Sequence, residues 1–353
     1  MSGPTDKSVA LLLSQLSALQ GNWLLVADEN WYAANWSAVC STRADSRVVF
    51  SNRVDIAMAA KSVGLDCTFN DFDFSSLSAR SFDGLLYRVS KERATNHHII
   101  NSAFRLLKPG AILLLGGEKN DGIKTYVKQA GKLFGNPVSA NKQGGVNSAT
   151  IQLEQREGDL LNDKQYAQLR PLQTDPNLPL HSKPGIFAWD KIDRGSEFLA
   201  DYLPQFLASF QKTPQSVLDL GCGYGYLCYQ AIQQGFKRLV ATDNNAAALL
   251  AITENLKNMH GIQWDVIGAD AGDQISAQFD TILCNPPFHS GFAVDSTLSV
   301  KFLSNTKRLL KPTGKALFVV NTFIPLEQKG MQYFDTIEVL ANNGSFKLVA
   351  LSH

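Results

Sequence analysis

Two phrases recur in the same order in both halves of this chain, and that recurrence narrows its fold more than any other feature. The first half reads "FDGLLYR" (Phe82–Arg88) followed by "FRLLKPGAILLLGG" (Phe104–Gly117). The second reads "FDTILCN" (Phe279–Asn285) followed by "KRLLKPTGKALFVVN" (Lys307–Asn321). Each pair describes a buried strand, a helix ending at Leu-Leu-Lys-Pro and a second buried strand. Chance accounts for either match alone; the shared order points to duplication. A length of 353 residues also exceeds one ordinary hydrophobic core. Between Glu154 and Lys183 the pattern dissolves into "EQREGDLLNDKQYAQLRPLQTDPNLPLHSK", whose Pro, Asn and Asp content suits a connection. The expected division is a first domain over 1–155, a linker over 156–182 and a second domain over 183–353.

The second half is legible in detail. Short apolar β-type runs, "SVLDL" (Ser216–Leu220), "LVATD" (Leu239–Asp243), "WDVIGAD" (Trp264–Asp270), "FDTILCN" and "KALFVVN", alternate with helical segments such as "NAAALLAITENLKNM" (Asn245–Met259). That alternation implies a parallel α/β sheet covered on both faces. The closing "FDTIEVLANNGSFKLVALS" reads strand, Asn-Asn-Gly-Ser turn, strand, a hairpin that brings one reversed strand into the sheet. A seven-stranded mixed sheet with a terminal β-hairpin is expected.

The glycine loop sits between the first of these strands and a helix. In "VLDLGCGYGYL" (Val217–Leu227), Gly221, Gly223 and Gly225 leave room for a ligand to approach the backbone. The dinucleotide fingerprint fails because its sixth position is Tyr226, and the phosphate-loop Lys-Ser/Thr is missing. Asp219, two residues before the first glycine, suits a ligand carrying a free amino group. Asp243 ends the next strand, where a carboxylate accepts both hydroxyls of a ribose. Asp270 ends the third, placed for an adenine amino group. A single Asp at a strand end is ordinarily a helix cap or a solvated turn. Three at successive strand ends, on the ligand-binding edge of an open α/β sheet, describe amino acid, ribose and adenine together. S-adenosylmethionine is the expected cofactor.

The fourth strand ends in "NPPFHSG", Asn285–Gly291. Methylating an exocyclic amine is difficult because the nitrogen lone pair is delocalised into the ring. An amide oxygen and a backbone carbonyl, each accepting one N–H, turn that lone pair toward the incoming methyl group. Asn285 offers the first, Pro286 the second, and consecutive prolines hold the backbone with φ near −65°. Phe288 offers a ring face for stacking, worth about 1–3 kcal/mol. The expected catalytic residues are therefore Asn285, Pro286 and Phe288, with Asn285 also facing the donor. His289 is expected as a pocket wall bordering substrate or as a surface residue, because a positively charged sulfur makes early deprotonation of the amine unnecessary. Cys222 and Cys284 have no evident base partner and read as packing residues.

Lys plus Arg is 33 and Asp plus Glu is 32, so the net charge of +1 neither supports nor excludes a nucleic-acid partner. Five cysteines without CxxC spacing favour reduced thiols in cytoplasm over disulfides, and no metal site is expected. The opening "MSGPTDKSVALLLSQLSALQGN" lacks a basic stretch leading into a cleavage site, so no signal peptide and no membrane partner are expected.

The chain resembles class I S-adenosylmethionine-dependent methyltransferases that act on amines, and more fully the RsmC family, ribosomal small-subunit RNA guanine-N2 methyltransferases. Four stretches carry the resemblance: "KPGIFAWDKIDRGSEFLADYLP" (Lys183–Pro204), "VLDLGCGYGYL", "CNPPFHSG" and "NNGSFKLV". It implies two tandem Rossmann-like methyltransferase domains, the first degenerate. It also implies methyl transfer to the 2-amino group of one guanosine in 16S rRNA, with the small ribosomal subunit as partner. In the first half, "NWLLVADENW" (Asn22–Trp31) stands in place of the glycine loop and "YRVSKER" (Tyr87–Arg93) in place of the asparagine motif, so one active site is expected. A monomer is expected too, because an internal duplication replaces a dimer partner.

The first half then needs a role. Arg80, Arg88, Lys91 and Arg93, with "HHII" nearby, are candidate RNA contacts; a solvated face on a buttressing domain is the alternative, weighed equally. A second basic group, Lys301, Lys307, Arg308, Lys311 and Lys315, follows the asparagine motif, and exposed helices often look like this. Two rival readings stay open at this point. One is a methyltransferase acting on adenine N6 or on protein glutamine N5; the other is a non-catalytic RNA-binding assembly factor.

Overall fold

Every residue of Ser216–Leu220 and of 23–27 is buried, as strands covered on both faces must be. The computed structural model describes residues 5–41, 45–154, 159–172, 174, 178–287 and 296–353. The chain divides into two units, Met1–Gln168 and Leu169–His353.

The first unit runs α1 (Lys7–Leu16), β1 (Asn22–Ala27), α2 (Trp36–Cys40), β2 (Ser46–Ser51), α3 (Val54–Ser62), β3 (Asp66–Phe69), β4 (Phe82–Arg88), α4 (Arg93–Leu106), β5 (Leu107–Gly117), α5 (Ile123–Leu133), β6 (Asn141–Gln143) and β7 (Val146–Gln152). A small ribbon, β8 (Arg170–Pro171) with β9 (His181–Ser182), opens the second unit. There follow α6 (Arg194–Ala208), β10 (Ser216–Leu220), α7 (Tyr226–Gln233), β11 (Arg238–Asp243), α8 (Ala246–Lys257), β12 (Gln263–Gly268) and β13 (Phe279–Cys284). The unit closes with α9 (Ser296–Leu309), β14 (Leu310–Asn321), α10 (Leu326–Gly330), β15 (Thr336–Asn342) and β16 (Phe346–Ser352).

The two sheets have one topology. Their strand orders are β3-β2-β1-β4-β5-β7-β6 and β12-β11-β10-β13-β14-β16-β15. In each, one antiparallel strand (β7 or β16) is inserted beside the long strand β5 or β14. The duplication therefore holds at the level of pairing, and its motif has a physical cause. Asp83 accepts the Asn22 N–H at 2.9 Å and pairs with Lys108 at 2.6 Å. Asp280 accepts the Ser216 N–H at 3.0 Å and pairs with Lys311 at 2.9 Å. The Asp of Phe-Asp and the Lys of Leu-Leu-Lys-Pro thus anchor the same corner of both sheets. The helix ends at the first Leu of the motif, Leu106 or Leu309, so Lys-Pro lies within the following strand rather than at the helix terminus.

Each sheet has an apolar layer on both faces. On the second, Leu218, Leu220, Ile282 and Phe318 form one layer. Val217, Leu239, Leu283 and Leu317 belong to the other. The stretch expected as a linker is shared between the units: Tyr166 is buried in the first core, Leu172 and Leu180 in the second. Its Pro171 lies in the strand β8, and its apolar residues Tyr166, Leu172 and Leu180 are anchors.

Candidate active site

The strand β10 ends in three glycines that all have positive φ: +87° at Gly221, +53° at Gly223 and +95° at Gly225. They serve different ends. A methyl group at Gly221 would meet nothing within 4 Å, and one at Gly223 only Ile186 Cγ2 at 3.9 Å, so this side of the loop is open. A methyl group at Gly225 would collide with Ile252, so that glycine lets α7 pack on α8. The loop is held by its neighbour strand. The N–H groups of Gly221 and Cys222 both donate to the Thr242 carbonyl at 2.9 Å. Gly223 N–H donates to Asp243 Oδ2 at 2.9 Å, and Asn245 N–H to Asp243 Oδ1 at 2.8 Å.

Asp219 lies under this loop and is 1% exposed. Its Oδ2 accepts the Cys228 thiol at 3.1 Å, while Oδ1 has no partner among the described residues. Burial pushes its pKa up to about 7; the Cys228 bond opposes the shift and Asp243 adds to it. A buried carboxylate with an unmet acceptor fits a cationic amino group. Asp270, in the turn after β12, forms an ion pair with Lys301 of α9. The open glycine side, the orphaned Asp219 oxygen, Asp243 at the end of β11 and Asp270 two residues beyond β12 together fit the donor expected from the sequence. S-adenosylmethionine supplies, when bound, an electrophilic methyl group on a sulfonium.

Asn285 follows β13 and is half-buried. Its Nδ2 donates to Asp193 Oδ2 at 2.7 Å and to Ser196 Oγ at 2.8 Å. The same Asp193 oxygen caps α6, accepting the Ser196 N–H at 2.9 Å. An ionised carboxylate only accepts hydrogen bonds, so the amide presents its NH2 to Asp193 and turns its oxygen away. Pro286 is buried and Pro287 exposed. Phe288 and His289 lie outside the described residues. The segment before α6 is tied to the turns after β11 and β10: Asn245 Nδ2 donates to the Gly185 carbonyl at 2.7 Å, and Tyr224 Oη to that of Lys191 at 3.1 Å.

Residues 177–350 match the methyltransferase small domain family. A ribosomal RNA small subunit methyltransferase C of Shewanella loihica is 28% identical over 277 residues, 77% of this chain and 78% of that protein. One of Pseudoalteromonas translucida is 28% identical over 353 residues, 98% of each chain. Among solved structures, the Thermus protein described as "T. Thermophilus 16S rRNA N2 G1207 methyltransferase (RsmC) in complex with AdoMet and Guanosine" superposes with a TM-score of 0.81 at 21% identity. That superposition covers 99% of this chain and 92% of that one. Residues 177–350 are thus similar to the methyltransferase small domain family, nearly the whole chain is similar to ribosomal RNA small subunit methyltransferases C, and its fold is that of the Thermus structure.

Within this chain the first unit departs from the second at the site itself. Strand register places Leu25 of β1 where β10 has Asp219, and Arg88 where β13 is followed by Asn285. Arg88 is 5% exposed, with its guanidinium on Asp121 at 2.7 Å and on Asp6 at 3.0 Å. The expectation that Arg88 contacts RNA is therefore corrected: both faces of its charge are already spent inside the unit. Lys91, Arg93 and Arg80 are exposed. The histidines beside them are also occupied. His97 bonds the Asn162 carbonyl at 2.7 Å, and His98 stacks on Tyr166 at 4.6 Å. After β1 the buried Trp31 stacks on Trp36 at 5.3 Å where the second unit has its glycine loop.

The second basic group is structural too. Besides the Lys301 and Lys311 pairs, Arg308 donates to the carbonyls of Gly272 and Ile275, and Lys315 to that of Ser209. Lys307 lies 5.7 Å from the Phe334 ring. Asp193 and Ser196 are the site residues that motif reading missed. Their signal was the Asp-x-x-Ser of "DRGSE", which reads as an ordinary helix cap.

Proposed function

We propose that this chain transfers a methyl group from S-adenosylmethionine to the exocyclic N2 amine of a guanosine in 16S rRNA, with the small ribosomal subunit as its partner. The observation that carries the reading is the Asn285 amide, anchored through both N–H groups with its oxygen left for an incoming amine. The names of its relatives and of the Thermus structure point to the same substrate.

Asn285 accepts one hydrogen of the target amine, and the Pro286 carbonyl accepts the other, which directs the nitrogen lone pair toward the donor. Phe288 stacks on the base and His289 borders it. Asp219 receives the donor's amino group, Asp243 its ribose and Asp270 its adenine, while Gly221 and Gly223 admit it against the backbone. Gly225 acts one step removed, by setting the packing of α7. Catalysis of this kind is positioning and electrostatic preorganisation, with no covalent enzyme intermediate.

The second unit is the catalytic one and the first, with Leu25 and Arg88 at the two decisive places, supports or positions substrate. Lys91 and Arg93 are its candidate RNA contacts. No helix of the described residues is long and apolar enough to cross a membrane; we place the protein in the cytoplasm, as a monomer, on its ribosomal substrate. Small subunits from cells lacking this chain, incubated with the purified protein and methyl-labelled donor, test the reading. Label is expected in N2-methylguanosine of 16S rRNA; label in N6-methyladenosine or in protein glutamine would refute it, and so would no label at all.

A further inference from the structure

An unrestrained asparagine amide has two ends of nearly equal size, and only one of them is useful in a site of this kind. With oxygen outward it accepts an N–H of the target amine; with NH2 outward it opposes donor to donor. Something must choose. The only groups that Asn285 meets through its NH2 among the described residues are Asp193 Oδ2 at 2.7 Å and Ser196 Oγ at 2.8 Å. Turning the amide over would set its oxygen against the Asp193 carboxylate, acceptor against acceptor.

We propose that Asp193 and Ser196 are positioning residues for methyl transfer, fixing the Asn285 amide with its oxygen toward the target amine. The inference rests on the proposed role of Asn285 and adds how that role is enforced. The device couples two elements far apart in sequence, the N-terminus of α6 and the end of β13. Because Asp193 also caps α6 through the Ser196 N–H at 2.9 Å, the rigid helix start fixes the carboxylate that fixes the amide.

A cap alone would make a different prediction. Serine caps a helix about as well as aspartate, so a purely structural Asp193 tolerates Asp193→Ser. As a positioning residue it does not, because the same Asp193 oxygen serves the cap and the Asn285 NH2, and the shorter serine hydroxyl, which also donates, caps the helix without holding the amide.

The test is a double-mutant cycle on the single-turnover rate of methyl transfer, using small subunits from cells lacking this chain and saturating donor, with donor Kd from calorimetry alongside. Asp193→Ser is expected to slow transfer by about 30–100-fold with donor Kd within about twofold. Ser196→Ala, which leaves the cap intact, is expected to slow it by about 3–10-fold. In the Asn285→Ala background Asp193→Ser is expected to slow transfer by no more than about twofold further. Near-normal transfer by Asp193→Ser, or single effects that simply multiply, would overturn the inference. The rate is counted for whichever amine accepts the methyl group, so a product other than N2-methylguanosine refutes the functional reading while the cycle still decides this one.

Discussion

The backbone N–H of Gly223 donates to Asp243 Oδ2 at 2.9 Å, so the glycine loop after β10 is shaped by a carboxylate from the neighbouring strand. The residue assigned to the ribose thus also builds the loop that admits the rest of the donor. Replacing Asp243 by Ala removes both at once. Donor Kd is expected to rise by about 100-fold, and the second unit to lose about 1–2 kcal/mol from two unmet backbone donors. Asp243→Asn keeps one acceptor and should weaken binding by about tenfold. Calorimetry and urea unfolding read the two effects.

The three glycines separate in the same kind of experiment. Gly225→Ala strains a backbone at φ +95° and drives a methyl group into Ile252, so a loss of about 2–4 kcal/mol is expected. Adding Ile252→Ala relieves the collision but not the dihedral, and recovers only part. Gly221→Ala carries the dihedral alone, at φ +87° with nothing within 4 Å. A loss of about 1–2 kcal/mol is expected there, with a larger proportional loss of donor affinity.

Asp219 predicts a pH signature. An unfolded Asp titrates near 4 and this one at about 7, chiefly through burial. Between those values the native state holds a proton that the unfolded chain has released. The contribution of Asp219 to stability therefore falls as pH rises from about 4 to about 7 and is flat above. Asp28, pushed up to about 7 by burial and then by the Glu29 charge, acts with the same sign in the first unit. A cationic donor group favours the ionised Asp219, so donor affinity should improve about tenfold between pH 5.5 and 7, with proton release on binding near pH 7. Calorimetry in buffers of different ionisation enthalpy measures both. Asp219→Asn should abolish the pH dependence and the proton release together.

How much of this was legible in the sequence depends on whether the contact is local. The Phe-Asp and Leu-Leu-Lys-Pro motifs stood out because Asp83 with Lys108, and Asp280 with Lys311, anchor the same corner of each sheet. The glycine loop and the acidic strand ends were readable because consecutive strands deliver them to one edge. The Asp193–Asn285 contact was not, since it joins positions 92 apart that share no motif. Arg88 was misread because its neighbours Lys91 and Arg93 are exposed, whereas a residue at the end of a buried strand points into the unit.

Arg88→Ala strands Asp121, and Asp6 beside it, in a buried site. The first unit is expected to lose about 3–5 kcal/mol, as when one partner of a buried ion pair is removed. The salt slope of RNA binding should stay as in the parent under conditions where the variant is folded. Lys91→Ala/Arg93→Ala should do the reverse, leaving thermal stability alone and reducing that slope by about 1–2. An unchanged slope in this second variant would leave the first unit with a supporting role only.

The most direct test of the account is the single-turnover methylation rate of Asn285→Ala on small subunits, measured with donor saturating. The oxygen proposed to accept the target amine is gone, while Asp219, Asp243 and the glycine loop remain. The rate is expected to fall by about 100–1,000-fold with donor Kd nearly unchanged. A rate within a few-fold of the parent would contradict the role of this amide and, with it, the proposed chemistry.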